Sequence, residues 1–199
     1  MKFYSLVVGA VLATTTFALQ AETWKLDTDS STLHFVSVKN DVVAETHRFT
    51  ELTGELTDGA LEISIPVSSL DTAIPIRNER MLEHLFKAAK FEFVTATAQV
   101  PAEIYSSTTT GGSLPAIIPM TVFIAGESVE LEAAVQVSRI GTDRVVATTS
   151  QPILINAQDF KLIEGINKLQ EIAGLNAIDQ VIPVTFTVQF ERERESDES

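Results

Sequence analysis

The sequence predicts an all-β fold, an antiparallel sandwich or a closed barrel of about eight strands with one or two short helices. Three stretches alternate apolar and polar residues with a period of two, which is typical of strands with one buried face. They span residues 61–67, 129–137 and 184–190. Asp58-Gly59 is a tight hairpin signal, and Gly141 lies in a second predicted turn. The alternation alone does not distinguish a sandwich from a barrel.

The first 21 residues have the composition of a secretory signal peptide. Lys2 precedes an apolar run over 3–19, and the predicted cleavage site follows Ala21, with Ala18 as the alternative. A retained membrane anchor is disfavoured because the run is shorter than the ~20 residues that span a bilayer. We therefore expect export to the periplasm.

One domain is expected over residues 22–191, followed by a charged tail, 192–199, that frays. Weaker strand candidates within the domain cover 33–39, 43–49, 52–58, 91–100, 117–125, 144–149 and 153–156. A helix is predicted over residues 164–173, where Gly174 provides a stop. The order of these segments places most strands next to one another along the chain, as hairpins require.

An earlier helix is predicted to begin after Asn78, because asparagine is a favoured N-cap residue. When the segment is projected at about 100° per residue, four apolar side chains share one face. They are Met81, Leu82, Leu85 and Phe86. We expect this face to form a lid or plug on the barrel.

The charge of the chain excludes several classes of partner. There are 27 acidic and 14 basic side chains, for a formal charge of −13, and removal of residues 1–21 leaves −14 because it takes only Lys2. Nucleic acids and anionic membranes both require a basic surface. No later segment is long and apolar enough to span a bilayer, so we expect no stable membrane insertion after signal removal. The absence of cysteine excludes disulfides and thiolate metal sites.

No residue pattern indicates catalysis, a metal site or a cofactor. His34, His47 and His84 lack metal-ligand spacing, and there is no G-x-S-x-G motif. A barrel of about eight strands is either filled by its own side chains or holds one small ligand. An apolar tail in such a barrel gains ~0.8 kcal/mol per buried methylene. From the residues alone, a filled barrel and a ligand-holding barrel both stay open.

Several motifs spread over most of the predicted mature chain point to a known family. They are Trp24-Lys25-Leu26-Asp27, Ser31-Thr32-Leu33-His34-Phe35, Val67-Ser68-Ser69-Leu70-Asp71-Thr72, Arg77-Asn78, Leu85-Phe86 and Asp159-Phe160-Lys161-Leu162. Together they resemble the YceI-like family of lipocalin-like, exported, isoprenoid-binding proteins. The resemblance implies an extended lipocalin-like antiparallel barrel with a long apolar tunnel. It also implies a carrier, not an enzyme, that holds a long-chain isoprenoid lipid of the quinone or polyprenyl type, or a similar amphiphile.

Nine residues are predicted to line this tunnel, although a plain core role is equally open for each. They are Phe35, Ile63, Ile65, Leu82, Phe86, Phe91, Phe93, Leu131 and Phe186. Arg77 is predicted to lie just outside the helix. There it either pairs with Asp71 or nearby backbone carbonyls, or meets the polar head of the ligand at the barrel mouth.

Two other functions stay open at this point. A non-carrier envelope or stress interaction module would have a packed barrel and an acidic surface for a basic partner. A lipid-modifying enzyme on the same fold would need a polar cluster inside the tunnel, for which the sequence offers only His34 or His47. The sequence does not determine the oligomeric state, so a homodimer also stays open.

Overall fold

The computed structural model describes residues 22–106 and 110–193. The predicted signal peptide and residues 194–199 of the predicted tail lie outside these ranges. Within them, twelve β-segments form one antiparallel sheet. The segments are β1 (Thr23–Leu26), β2 (Thr32–Lys39), β3 (Val43–Phe49), β4 (Thr53–Thr57), β5 (Ala60–Pro66), β6 (Leu70–Asp71), β7 (Phe93–Gln99), β8 (Ser113–Ile124), β9 (Glu127–Ile140), β10 (Arg144–Thr149), β11 (Ile153–Asn156) and β12 (Val181–Arg192).

The sheet closes because the last strand pairs along both of its edges. One edge of β12 pairs with β10 and β11, and the other pairs with β1 and β2. The pairs β1/β2, β3/β4, β5/β6 and β10/β11 each act as two halves of one interrupted strand. The described segments therefore form a closed, eight-stranded antiparallel barrel. This confirms the predicted fold class and decides for the barrel over the sandwich.

Three α-helical segments accompany the described strands: α1 (Pro75–Arg80), α2 (Ala102–Tyr105) and α3 (Ile163–Ala173). The chain continues from α1 into a π-helical turn, Met81–Leu85. In the described part of the chain, no helix is long and apolar enough to cross a membrane. The last strand includes Arg192, one residue beyond the predicted end of the domain.

The first helix begins earlier than the sequence analysis predicted. Ile74 is its N-cap and Pro75 its first residue, so Asn78 lies inside the helix. Proline favours the first helical position, because its fixed φ suits the helix and its missing N–H would have no intrahelical partner there. The Asn78 side chain instead accepts hydrogen bonds from the backbone N–H of Thr72, at 3.0 Å, and from the Thr72 hydroxyl. The predicted N-cap is therefore wrong, and Asn78 ties α1 to the end of β6.

A glycine allows α3 to pack against the π-helical turn. A Cβ atom at Gly165 would lie 2.5 Å from the carbonyl oxygen of His84 and 3.0 Å from the Cα of Leu85. Both neighbours are backbone atoms of the turn, so only the absence of a side chain permits this approach. The contact holds the helical insertion against the end of the barrel.

Substitution Gly165→Ala should therefore destabilise the protein, although alanine favours a helix over glycine by up to ~1 kcal/mol. We expect the clash to outweigh this gain and to lower the free energy of unfolding by about 1–3 kcal/mol, measured by urea denaturation. Asn167→Ala, on the exposed side of the same helix, is the control and should be neutral or slightly stabilising. A more stable Gly165→Ala protein would contradict the tight contact.

Candidate functional site

A cavity of about 560 Å³ occupies the barrel interior. This volume lies within the ~300–1,000 Å³ typical of ligand pockets. Most of its wall consists of inward-facing apolar side chains of the strands, joined by side chains from α1, the π-helical turn and α3. Small residues contribute to the free volume; they are Ala96, Ala98, Ala133 and Ala147. The barrel is therefore not filled by its own side chains.

Six of the nine predicted tunnel residues lie in the cavity wall. They are Phe35, Ile63, Ile65, Phe86, Leu131 and Phe186. Their binding role stays a prediction, because each also packs in the hydrophobic core. Met81 and Leu85, predicted as part of a lid, line the cavity as well.

The other three predicted tunnel residues lie outside the wall. Phe93 is 44% exposed, because Val94, Ala96 and Ala98 face inward and side chains alternate along a strand. Phe91 packs against the Phe123 ring, with 5.9 Å between the ring centroids. Phe93 lies on the opposite face of β7 from Ala96 and Ala98, whereas Phe91 precedes the strand and packs against Phe123 instead, so both tunnel assignments are wrong.

Leu82 is the third residue outside the wall. It is partly buried and packs against the core, while its neighbour Met81 reaches the cavity. The projection that placed Leu82 on the inner face assumed α-helical geometry, whereas a π-helical turn has more residues per turn. Leu82 therefore leaves the predicted face, whereas Met81, Leu85 and Phe86 line the cavity as that face requires.

The polar side chains of the wall gather mainly at one end of the cavity, near the β2–β3 hairpin and α1. They are Ser37, Lys39, Glu45, His47, Arg77 and Arg80. Glu45 is bound by two cations, with 2.6 Å between its Oε2 and the Nζ of Lys39 and 2.7 Å to the Nη1 of Arg77. The hydrogen bond from Lys39 and the charges of Arg77 and Lys39 hold the pKa of Glu45 below its usual value, against the effect of burial.

Arg77 is a clamp between three segments of the chain. Besides Glu45 on β3, it donates a hydrogen bond from Nη2 to the backbone carbonyl of Thr72. The predicted contact with a backbone carbonyl is thus present, but the predicted pairing with Asp71 is wrong. Asp71 instead pairs with Arg48, directly opposite it across β3 and β6, at 3.0 Å. The position of Arg77, inside α1 and not before it, directs the guanidinium away from Asp71 and toward Glu45.

His47 is the most buried polar group at this end, with 3% of its surface exposed. Its Nε2 lies 2.8 Å from the hydroxyl of Ser37, and its ring lies 5.1 Å from the Phe35 ring. Its Nδ1 has no hydrogen-bond partner among the described residues. Burial and, next, the charge of Arg77 lower the pKa of His47, so the imidazole is neutral near pH 7.

The polar end is also where the cavity opens. Ile74 and Ile76 line the cavity and yet are 43% and 51% exposed. At the opposite end, Trp24 and Tyr105 are buried and their rings meet edge to face, 6.2 Å apart. Arg139 fixes this end by donating hydrogen bonds to the carbonyls of Tyr105, Ser106 and Thr142. In residues 22–106 and 110–193, no three His, Asp or Glu side chains converge as a metal site.

The buried imidazole predicts a pH dependence of stability. Below its ordinary pKa of about 6.5, the unfolded chain takes up a proton that native His47 resists, so the free energy of unfolding falls with falling pH until the native pKa is reached. His47→Gln removes the contribution of this imidazole to the pH dependence of the free energy of unfolding, which is at most ~1.4 kcal/mol per pH unit. The stability difference, wild type minus variant, should therefore shrink between pH 7.5 and 5.5 in urea denaturation followed by Trp24 fluorescence. Parallel pH curves for the two proteins would contradict the lowered pKa.

Comparison with known proteins places this barrel and cavity in a family. The chain matches the YceI-like domain over residues 24–190. It is similar to the solved structure of a polyisoprenoid binding domain from Saccharophagus degradans implicated in plant cell wall breakdown, at 32% sequence identity and a TM-score of 0.83, over 85% of this chain and 98% of that one.

A second solved structure is similar in fold. BcnA from Burkholderia cenocepacia is 16% identical, with a TM-score of 0.64 over 82% of this chain and 98% of that one. A comparison with curated proteins found no match. Because the domain match runs from the first described strand nearly to the end of the last, the chain belongs to the YceI-like family.

Proposed function

We propose that the protein binds an isoprenoid-tailed amphiphilic lipid, of the quinone or polyprenyl type, and acts as its carrier in the periplasm. The observation that supports this function best is the shape and polarity of the cavity. Its wall is mostly apolar along the barrel, and most of its polar residues gather at the end where the exposed lining residues Ile74 and Ile76 lie. This arrangement suits a long apolar tail with a polar head at the opening.

The energetics of tail burial support the proposal. At ~0.8 kcal/mol per methylene, ten buried methylenes contribute a gross ~8 kcal/mol. Part of this is offset by the ordering of the ligand, so the net affinity is smaller. A tail alone can therefore supply most of the affinity, while the few polar groups at the opening contribute selectivity.

The relative from Saccharophagus degradans supports the same ligand class. It is described as a polyisoprenoid binding domain, and at 32% identity the two chains share the barrel over nearly the whole of that domain. The signal-like composition of residues 1–21 supports export. Transport, as opposed to storage or protection of the lipid, is part of our proposal.

The cavity counts against the alternative of a packed interaction module, because that function required a barrel without internal space. The enzyme alternative required a polar cluster inside the tunnel. Such a cluster exists around His47, but Glu45 is held by its two cations and His34 is not among the lining residues. The similar domain from Saccharophagus degradans is described as a binding domain.

Protein purified from its native host should release a long-chain prenyl lipid into organic solvent, in a ratio approaching one per chain. Mass spectrometry of the extract identifies the lipid, and the intact mass of the same preparation should correspond to a chain that begins at Glu22. An extract that contains only traces of phospholipid would contradict the carrier function. An intact mass that includes residues 1–21 would contradict export with cleavage.

Filling the cavity should remove the lipid. Ala133 faces the cavity and Ala134, next to it on β9, faces the opposite side of the sheet. Ala133→Phe should lower the lipid yield at least tenfold, since displacement of two methylenes at ~0.8 kcal/mol each already exceeds that factor. Ala134→Phe is the matched control and should keep the lipid.

Ala96→Phe repeats this test on β7 and distinguishes lost binding from lost folding if Ala133→Phe is unstable. Circular dichroism checks that each variant retains its strands. Equal lipid yields from folded Ala96→Phe, folded Ala133→Phe and the control would place the lipid outside the cavity.

A further inference from the structure

We propose that His47 contacts the head group of the bound lipid and selects an uncharged head group with a hydrogen-bonding oxygen, such as a carbonyl, next to the tail. This inference rests on the proposed function, because it names the head group of the lipid that the cavity holds. It assigns the choice of head group to one imidazole and not to the charged residues at the opening.

The first argument is an unsatisfied polar atom. His47 is almost fully buried and lines the cavity, and its Nδ1 has no partner among the described residues. A buried polar atom left without a hydrogen bond has lost its hydration without replacement, which destabilises the empty site. A ligand oxygen at Nδ1 removes this cost, so the empty site favours a ligand that brings one.

The second argument is the orientation of the ring. The Nε2 atom is occupied by the hydroxyl of Ser37 at 2.8 Å, and the ring packs beside Phe35. A neutral imidazole has one nitrogen that donates and one that accepts. When the Ser37 hydroxyl donates to Nε2, the proton sits on Nδ1, which then donates to an acceptor oxygen of the ligand. Burial keeps the ring neutral and so keeps it free of the charge that an anion would prefer.

The third argument is the depth of the charged side chains relative to His47. Arg77 and Lys39 are the cations whose charge acts on His47, and both are bound to Glu45. The side chains of these three residues are 23–29% exposed, so the ion pairs lie nearer to solvent than His47 does. Arg80 and Asp179 also line the cavity, and Asp179 is exposed.

An anionic head group beside His47 would therefore be desolvated close to the carboxylate of Glu45, with both neighbouring cations already paired. Burial of a charge beside His47 is unfavourable there, because the lining cation Arg80, although unpaired among the described residues, is not among the charges that act on His47. An uncharged oxygen faces no such cost. A phosphate on the same tail would have to remain at the level of the ion pairs and leave Nδ1 unsatisfied.

The test uses three probes with the same tetraprenyl tail: a benzoquinone, a monophosphate and the plain hydrocarbon. Delipidated wild-type protein is titrated with each probe in competition with a fluorescent lipid. We expect the benzoquinone to bind about tenfold more tightly than either of the others, because one hydrogen bond of ~1.4 kcal/mol corresponds to that factor.

Two substitutions distinguish the role of Nδ1 in binding from that of Nε2. His47→Gln places an amide near the position of Nε2 and can keep the contact with Ser37, but it removes Nδ1. His47→Asn places an amide near the position of Nδ1 and gives up Ser37. The preference for the benzoquinone over the hydrocarbon should vanish in His47→Gln and largely survive in His47→Asn. The affinity for the hydrocarbon, measured alongside in each variant, reports whether the cavity is intact, so the preference is read as the ratio of the two affinities.

The possible failures are distinct. Monophosphate binding to the wild type as tight as that of the benzoquinone would overturn the selection of an uncharged head group. A preference that persists in His47→Gln, or a loss in that variant that is equal for the hydrocarbon, would overturn the contact through Nδ1. Binding of none of the three probes to the wild type would instead overturn the proposed function itself.

Discussion

The closure of the sheet by β12 is the constraint on which the rest of the molecule depends. This strand pairs with β1 near residues 24–26 and with β10 on its other side, so it joins the two ends of the chain. The inward-facing side chains are shielded from water only because the sheet closes, since an open sheet would leave the same face exposed. The ion pair between Arg192 and Glu22, at 2.7 Å, lies at this junction. The cavity is thus a property of the closed barrel and not of any local segment.

The two ends of the barrel differ in how their charged side chains are satisfied. At the buried end, Arg139 and Arg192 stack over the Trp24 ring, with 5.6 and 4.9 Å from each guanidinium to the ring centroid. Arg139 is satisfied by its cation–π contact and by backbone carbonyls, whereas Arg192 combines its cation–π contact with the ion pair to Glu22. At the open end, the cations are matched by Glu45, and the apolar wall gives way to groups that can hydrogen-bond. The helical insertion between β6 and β7 contributes polar groups to the open end. Asn78 and Arg77 of this insertion both hydrogen-bond to Thr72.

The strands and their faces were largely predictable because alternation is a local signal. Five of the predicted residues in the cavity wall lie on strands, whereas Phe93 lies on the outward face of β7 and Phe91 lies before that strand. The choice of a barrel depended on pairing between residues as distant as Trp24 and Arg192, which no local pattern encodes. The polar end of the cavity was even harder to predict from the sequence. Arg77 and Glu45 are separated by 32 positions, and neither the π-helical turn nor the early start at Pro75 follows from the spacing of the apolar residues.

The cavity is buried at the Trp24 end and open at the Ile74–Ile76 end, and this has a consequence for the entry and release of a ligand. Because Trp24 and Tyr105 are buried and Ile74 and Ile76 are exposed, we expect a ligand to enter and leave by the same end. For the amphiphile of our proposal, this means entry tail first and release head first. In the carrier function that we propose, the protein would therefore not act as a conduit between two membranes. It would detach from the donor and present the same face to the acceptor, so each delivery would require the whole protein to turn.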